Sequence, residues 1–239
     1  VSRVPARFRK MIEEAEQATK LKISKETRED LRHLPIVAID PADAPDHDDA
    51  IWAAPDDSPD NKGGFKALIA IADVSFYVRS GSKLDREAYK RGNSVYFPDR
   101  VVPMLPEALS TDVCSLKQGV DRAALVCHIT INAKGQVTGS RFTRAIVKLA
   151  GNIAYEDAQA AMDGKLDHPL KGSALEPLWA CWKLLAKARD AREPLNLDLP
   201  EKRVVLDDQG KIVEIAIRER LDAHRLVEDY MIVANVAAA

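Results

Sequence analysis

The chain has 239 residues, 46% hydrophobic and 30% charged, with 35 Lys and Arg against 37 Asp and Glu for a formal net charge of −2. That is enough apolar material for one large domain or two small ones, and the near-neutral balance argues against a protein whose whole surface grips nucleic acid. No apolar run approaches the length of a membrane span and the N-terminus lacks the apolar core of a signal peptide, so a soluble, cytoplasmic protein with no membrane contact is expected.

In chain order, apolar residues at helical spacing predict a helix over residues 5–19, and a second over Lys25 to His33 behind a Ser24 cap. Leu34 to Ile39 and Ala50 to Ala53 have strand character. Residues 55–64 are rich in turn formers, and Phe65 to Val74 reads as a long strand buried on both faces, in which Asp73 is expected to make a structural hydrogen bond. Gly81 to Gly92 predicts a short helix closed by glycine, leading into a strand over Ser94 to Phe97 and an irregular crossing marked by Pro98, Pro103 and Pro106.

Two hairpins follow, Ala123 to Val147 about a turn ending at Gly135, and Lys202 to Arg218 about a turn ending at Gly210. Between them helices are predicted near Tyr155 to Met162 and Leu175 to Arg192, the latter burying Trp179 and Trp182. A last helix begins at Leu221 and carries His224, Glu228 and Asn235 on one face, a polar stripe that is solvent-facing unless the fold brings it near the acidic loop described next. Strands and helices do not alternate regularly, so the expected fold is α+β, a mainly antiparallel sheet with packed helices. The three cysteines, Cys114, Cys127 and Cys181, form no CxxC pair and are expected to be buried, reduced thiols.

Between the first two strands lie five carboxylates, Asp40, Asp43, Asp46, Asp48 and Asp49, in a stretch broken by Pro41 and Pro45. The prolines disfavour helix, so this is a loop. Two charges about 5 Å apart repel by roughly 3 kcal/mol at an effective dielectric near 20. The loop therefore either faces water or holds cations. An EF-hand is excluded, because counting from Asp46 the sixth residue is Ile51 and the twelfth Asp57. Hard-cation ligation by carboxylate oxygens, with substrate completing the shell, fits best.

The stretch Ile39-Asp-Pro-Ala-Asp-Ala-Pro-Asp-His-Asp-Asp-Ala50 resembles the signature of the RNB catalytic domain of the ribonuclease II and ribonuclease R family. The similarity continues through Ile71 to Val78, Gly81 to Asp85, Arg91 to Pro98, Val102 to Glu107, Leu109 to Leu116 and His224 to Asn235, and looks nearer to the ribonuclease R branch. It implies a 3′→5′ hydrolytic exoribonuclease that degrades single-stranded RNA to 5′-nucleoside monophosphates with Mg²⁺, or Mn²⁺ in its place. By the resemblance Asp40, Asp46, Asp48 and Asp49 are the metal ligands, with Asp46 and Asp48 also orienting the attacking water, and Asp43 is structural. Tyr96 matches an aromatic that stacks on a base near the RNA 3′ end, and Glu228 a glutamate beside the terminal nucleotides. Leu197 stands where a second clamp aromatic is expected.

The resemblance also places a catalytic arginine in a later motif beyond residue 239, and cold-shock and other OB-type RNA-binding domains elsewhere in the full-length protein. Residues 1–33 are then expected to be a helical lead-in and 34–239 the N-terminal part of the catalytic domain. A chain of this extent is expected to bind metal and to turn over slowly or not at all. The alternative is a catalytically silent RNA-binding or regulatory module with the same fold.

Overall fold

The computed structural model describes residues 6–193, 202–207, 209–217 and 219–239. In chain order its elements are α1 (Ala6–Ala18), β1 (Glu29–Asp30), β2 (Val37–Asp40), β3 (Asp49–Pro55), β4 (Phe65–Ala72), α2 (Val74–Tyr77) and α3 (Lys83–Arg91). There follow β5 (Val95–Tyr96), β6 (Val101–Val102), β7 (Asp121–Ile131), β8 (Val137–Lys148), β9 (Gly151–Ala154), α4 (Tyr155–Met162), α5 (Glu176–Asp190), β10 (Lys202–Leu206), β11 (Ile212–Ile217) and α6 (Asp222–Ala238). Contacts divide the chain into a larger unit, residues 22–73, 114–194 and 221–239, and a smaller one, residues 1–21, 74–113 and 195–220.

The larger unit is a seven-stranded sheet in the order β1-β8-β7-β4-β3-β2-β9. The pairs β2–β9 and β1–β8 are parallel and the rest antiparallel, giving the α+β architecture expected from the sequence. Strand β4 is central because Ala67, Leu68, Ile69 and Ala70 offer small or branched side chains to both faces, and all four are buried. On one face Ile39, Ile51, Ile69 and Ile129 share a core with Ala158 of α4, Leu178 and Trp179 of α5, and Leu226 and Tyr230 of α6. Each such side chain, fully buried, contributes about 1.5–3 kcal/mol.

Polar side chains tie the helices together inside this layer. Trp182 Nε1 donates to Asp229 at 2.8 Å, Arg189 donates to the same carboxylate at 2.7 Å, and the Tyr230 hydroxyl donates to the Leu178 carbonyl at 3.1 Å. The β7–β8 hairpin turns at Gly135, whose φ of +76° is left-handed, and a Cβ there would sit 2.0 Å from the Leu184 carbonyl oxygen of α5. Glycine is therefore required both by the turn and by the close helix.

One element differs from the sequence reading. No helix forms over Lys25 to His33; instead Glu29 and Asp30 make a short edge strand parallel to Ala145 and Ile146. Arg28 explains the difference, since its buried guanidinium donates to Asp73 at 2.7 Å and to the Ala145 carbonyl at 3.4 Å, while the Leu31 N–H donates to the Ile146 carbonyl. These sheet contacts outweigh a weak local helical propensity. Asp73 also accepts from Arg144 at 3.0 Å, which gives it the structural role expected.

In the smaller unit α1 packs on α3, and Glu14 accepts the Leu84 N–H at 2.8 Å. Helix α3 starts at Ser82, whose hydroxyl accepts from the Asp85 N–H, and ends at Gly92 with φ +76°. Strands β5 and β6 form a two-stranded ribbon, as do β10 and β11. The ribbon β5–β6 leaves Val95, Tyr96, Phe97, Val101 and Val102 exposed, Tyr96 at 63%.

Candidate metal centre

The acidic loop joins the ends of two neighbouring strands. Asp40 is the last residue of β2 and Asp49 the first of β3, so both are set by the sheet ladder, while Asp46 and Asp48 lie on the connecting loop. The Ala44 N–H turns back to the Pro41 carbonyl at 3.0 Å. Asp40, Asp46 and Asp49 are half-buried; Asp48 and Asp43 reach solvent.

The loop is anchored through the backbone of His47. Its N–H donates to the Ser115 hydroxyl at 3.0 Å, and its carbonyl accepts from the Leu116 N–H at 2.8 Å. The Asp48 carbonyl accepts from the Ala72 N–H at the end of β4. Segment 115–118 is held in turn by Arg122, which donates to the Ser115 carbonyl at 2.8 Å. It is held also by Asn152 on β9, which donates to the Leu116 carbonyl at 3.0 Å and accepts from the Gln118 N–H at 2.7 Å. The His47 ring reaches back to Asp40, Nδ1 to Oδ2 at 2.6 Å.

Three of the four carboxylates are harder to ionise than usual. Burial, then the charges of Asp40 and Asp48, pushes Asp49 up to about 6. Asp48 is raised by the desolvation of its carboxyl group and then by Asp46 and Asp40, with His47 opposing. Asp46 is raised mainly by burial, with a further contribution from Asp40. Each of these three thus feels at least one other carboxylate of the quartet, an electrostatic load that a divalent cation would remove.

Among the described residues no three His, Cys, Asp or Glu side chains form a ready-made metal cage. Zinc in a closed tetrahedral site would need one; Mg²⁺, which keeps several waters and uses few carboxylates beside substrate phosphates, does not. The donor set of hard carboxylate oxygens without thiols fits a hard cation.

The fold also decides where the polar stripe of α6 lies. Ala154 pairs with Asp40 in the β2–β9 ladder, Tyr155 follows it, and the Tyr155 ring stacks on His224 with centroids 4.0 Å apart. The first turns of α6 are thereby connected to the end of the sheet that carries the acidic loop, with Glu228 exposed one turn beyond His224. Tyr96 belongs to the smaller unit, and Leu197 lies outside the described residues.

Sequence reasoning passed over Ser115, Asn152, Arg122 and the His47 ring. The one local signal was a polar Asn152 inside the otherwise apolar run Leu149 to Ala154. Its partners are 34 and 36 residues away, beyond any periodicity.

A sheet carrying this carboxylate loop between two of its strands defines a class, and residues 28–239 match the RNB domain family, to which the chain belongs. Among curated proteins it is similar to Ribonuclease R of Escherichia coli, 41% identical over 221 residues covering 90% of this chain and 27% of that protein. It is also similar to Ribonuclease R of Vibrio parahaemolyticus, 42% identical over 217 residues, 89% of this chain and 25% of that protein. The chain thus spans about a quarter of the length of these relatives. The structure of Mycoplasma genitalium RNase R in complex with ribose methylated single-stranded RNA superposes with a TM-score of 0.85 at 29% identity, covering 92% of this chain and 35% of that one.

Proposed function

We propose that this chain is the metal-holding part of a 3′→5′ exoribonuclease catalytic domain, which hydrolyses single-stranded RNA from its 3′ end to 5′-nucleoside monophosphates. The observation that carries the reading is the carboxylate quartet Asp40, Asp46, Asp48 and Asp49. The four lie along one loop and the two strand ends that it joins in an RNB-family sheet, and three of them are destabilised as anions. The similarity to Ribonuclease R over nine-tenths of the chain supports the substrate class.

In this reading Asp40 and Asp49, fixed by β2 and β3, hold the cation, Mg²⁺ or Mn²⁺ in its place, and Asp46 and Asp48 add ligation and orient the attacking water. The bound cation would supply hydroxide at neutral pH and stabilise the leaving 3′ oxygen. The His47 backbone, pinned by Ser115 and Leu116, keeps the loop from splaying under its own repulsion. Tyr96 stacks on a base, a contact tolerant of sequence and worth about 1–3 kcal/mol, and Glu228 lies beside the terminal nucleotides. Cold-shock and other OB-type domains of the full-length protein supply the remaining RNA grip, which accounts for a net charge of only −2 here.

The domain assignment, 1–33 as lead-in and 34–239 as the N-terminal part of the catalytic domain, belongs to the same proposal. So does a cytoplasmic setting, supported by free, buried Cys114, Cys127 and Cys181. Burial pushes the Cys114 thiol up to about 12 and Cys181 up to about 11, so neither is a ready nucleophile. Among the described residues no helix is long and apolar enough to cross a membrane.

The test is incubation of the full-length protein that carries this chain with single-stranded RNA and Mg²⁺. Release of mononucleotides that Asp48→Asn abolishes supports the enzyme, whereas RNA binding without release identifies a silent module. No effect of Mg²⁺ on either stability or activity refutes the metal reading.

A further inference from the structure

The acidic loop is closed across its mouth by one side chain. Pro41 carries the chain out of β2, the Ala44 N–H bonds back to its carbonyl at 3.0 Å, and His47, just before β3, comes to lie against Asp40 at the end of β2. Nδ1 of His47 stands 2.6 Å from Oδ2 of Asp40, and the two side chains are only 19% and 18% exposed. An ionised carboxylate can only accept, so Nδ1 carries the proton and donates it. A bond to an ionised acceptor is about twice as strong as a neutral one.

Among the described residues Asp40 is the only carboxylate of the quartet that accepts a hydrogen bond from a side chain. The bond occupies Oδ2 and leaves Oδ1 for another partner. The ring that makes it is held through its own backbone, by the Ser115 hydroxyl at 3.0 Å and the Leu116 N–H at 2.8 Å. Leu116 is fixed in turn by Asn152, which pairs with Ala38 in the same β2–β9 ladder that sets Asp40 opposite Ala154. Donor and acceptor are thus referred to one pair of strands. Asp46 and Asp48 are the residues on either side of His47, so anchoring this one residue orders three of the four carboxylates.

We infer that His47 is a positioning residue of the metal centre, whose Nδ1–H holds Oδ2 of Asp40 so that Oδ1 is presented to the divalent cation. The inference rests on the reading of the quartet as a metal site. A carboxylate left free to rotate must be ordered when the cation binds, whereas one already held by a neighbour has met that cost on folding. Hydrogen-bond partners of metal ligands are worth about 10- to 100-fold in metal affinity for this reason.

The experiment uses the full-length protein that carries this chain, with Mn²⁺ binding followed by electron paramagnetic resonance and the Mg²⁺ dependence of mononucleotide release measured beside it. The binding that Asp49→Asn weakens identifies the quartet. His47→Phe keeps a ring and removes the donor. His47→Asn gives up the ring but sets Nδ2 the same number of bonds from Cβ as Nδ1. His47→Phe is expected to weaken Mn²⁺ binding there about tenfold and to raise the half-saturating Mg²⁺ by the same factor, whereas His47→Asn should stay within about threefold of the wild type. KM for RNA should be unchanged in both. Rescue by a smaller donor is not open to a ring that merely fills space.

If His47→Phe binds Mn²⁺ like the wild type, or His47→Asn is as weak as His47→Phe, the positioning role is overturned while the metal reading stands. A wild type with no Mn²⁺ binding that Asp49→Asn weakens, and no dependence on Mg²⁺, overturns both. Should His47→Phe fail to fold, the wild type decides by nuclear magnetic resonance with ¹⁵N-labelled histidine. The His47 Nδ1–H signal, recognised by its loss in His47→Asn, is expected to persist and resist exchange both without metal and with Mg²⁺. A ring that loses this proton or exchanges it freely with Mg²⁺ bound overturns the inference.

Discussion

Replacing Asp49 by asparagine should make the metal-free protein more stable, although the residue sits at the start of a central strand. Its carboxyl is pushed from an ordinary 3.8 up to about 6 by burial and by Asp40 and Asp48. Because the folded value lies above the unfolded one, the native state binds the extra proton between these pH values. Stability therefore falls as pH rises from about 4 to 6 and stays lowered above 6. At 1.36 kcal/mol per pKa unit the ionised group costs up to about 3 kcal/mol, and solvent access to a half-buried carboxylate reduces this to about 1–2 kcal/mol.

Asparagine removes the charge at nearly constant volume. In EDTA at pH 8 the expected gain in Tm for Asp49→Asn is about 3–6 °C, at the 2–4 °C per kcal/mol usual for a chain of this size. By pH 4.5 the gain should shrink to about a third, because Asp49 is then largely protonated in the folded state. Mg²⁺ should reverse the order, stabilising the wild type by more than the variant. Thermal melts in EDTA and in Mg²⁺ at both pH values measure all of this. An unchanged Tm at pH 8, or an equal gain at both pH values, would refute the electrostatic account of the loop.

Three further substitutions probe the frame. Gly135→Ala places a Cβ 2.0 Å from the Leu184 carbonyl oxygen on a left-handed backbone and should cost at least about 2 kcal/mol, visible as a fall in Tm without change in Mg²⁺ response. Asn152→Ala removes two hydrogen bonds to segment 116–118 and should cost about 1–3 kcal/mol. Unlike Gly135→Ala, it should also weaken the Mg²⁺-induced rise in Tm, since that segment pins His47. Asp229→Ala strands the Trp182 N–H and the Arg189 guanidinium inside the α5–α6 contact and should cost about 3 kcal/mol; denaturant melts that put it below 1 kcal/mol would show that water replaces the carboxylate.

What could be read from the sequence was what depends on short range. Alternation and glycine turns gave β7 and β8 with their hairpin, helical spacing gave α4 and α5 with Trp179 and Trp182 inside, and the clustering of carboxylates marked the loop. The Lys25 to His33 helix failed because its deciding partners, Asp73, Ala145 and Ile146, are 45 to 117 residues away in sequence. The same distance hid the support of the loop: nothing near His47 announces Ser115, and nothing near Leu116 announces Asn152.

The order of the strands explains why so unfavourable a loop is tolerated at all. Asp40 and Asp49 end strands that each have a neighbour on both sides, β2 between β9 and β3, and β3 between β2 and β4. Splaying the two carboxylates apart would break ladder bonds at the core rather than fray an edge. The loop has a second set of restraints at His47 and Asp48, whose backbone groups bond to Ser115, Leu116 and Ala72. At about 1 kcal/mol each, these three bonds are of the same size as the cost of keeping Asp49 buried and ionised beside Asp40 and Asp48. The scaffold can therefore keep the quartet assembled before any cation arrives, and the strain so held is released when one binds. It follows that loosening the frame and neutralising the charge should act in opposite directions on the metal-free protein but in the same direction on its response to Mg²⁺. Asn152→Ala combined with Asp49→Asn should then recover much of the stability lost in Asn152→Ala alone, while responding to Mg²⁺ least of all; a double variant no more stable than Asn152→Ala would show that frame and charge are not coupled.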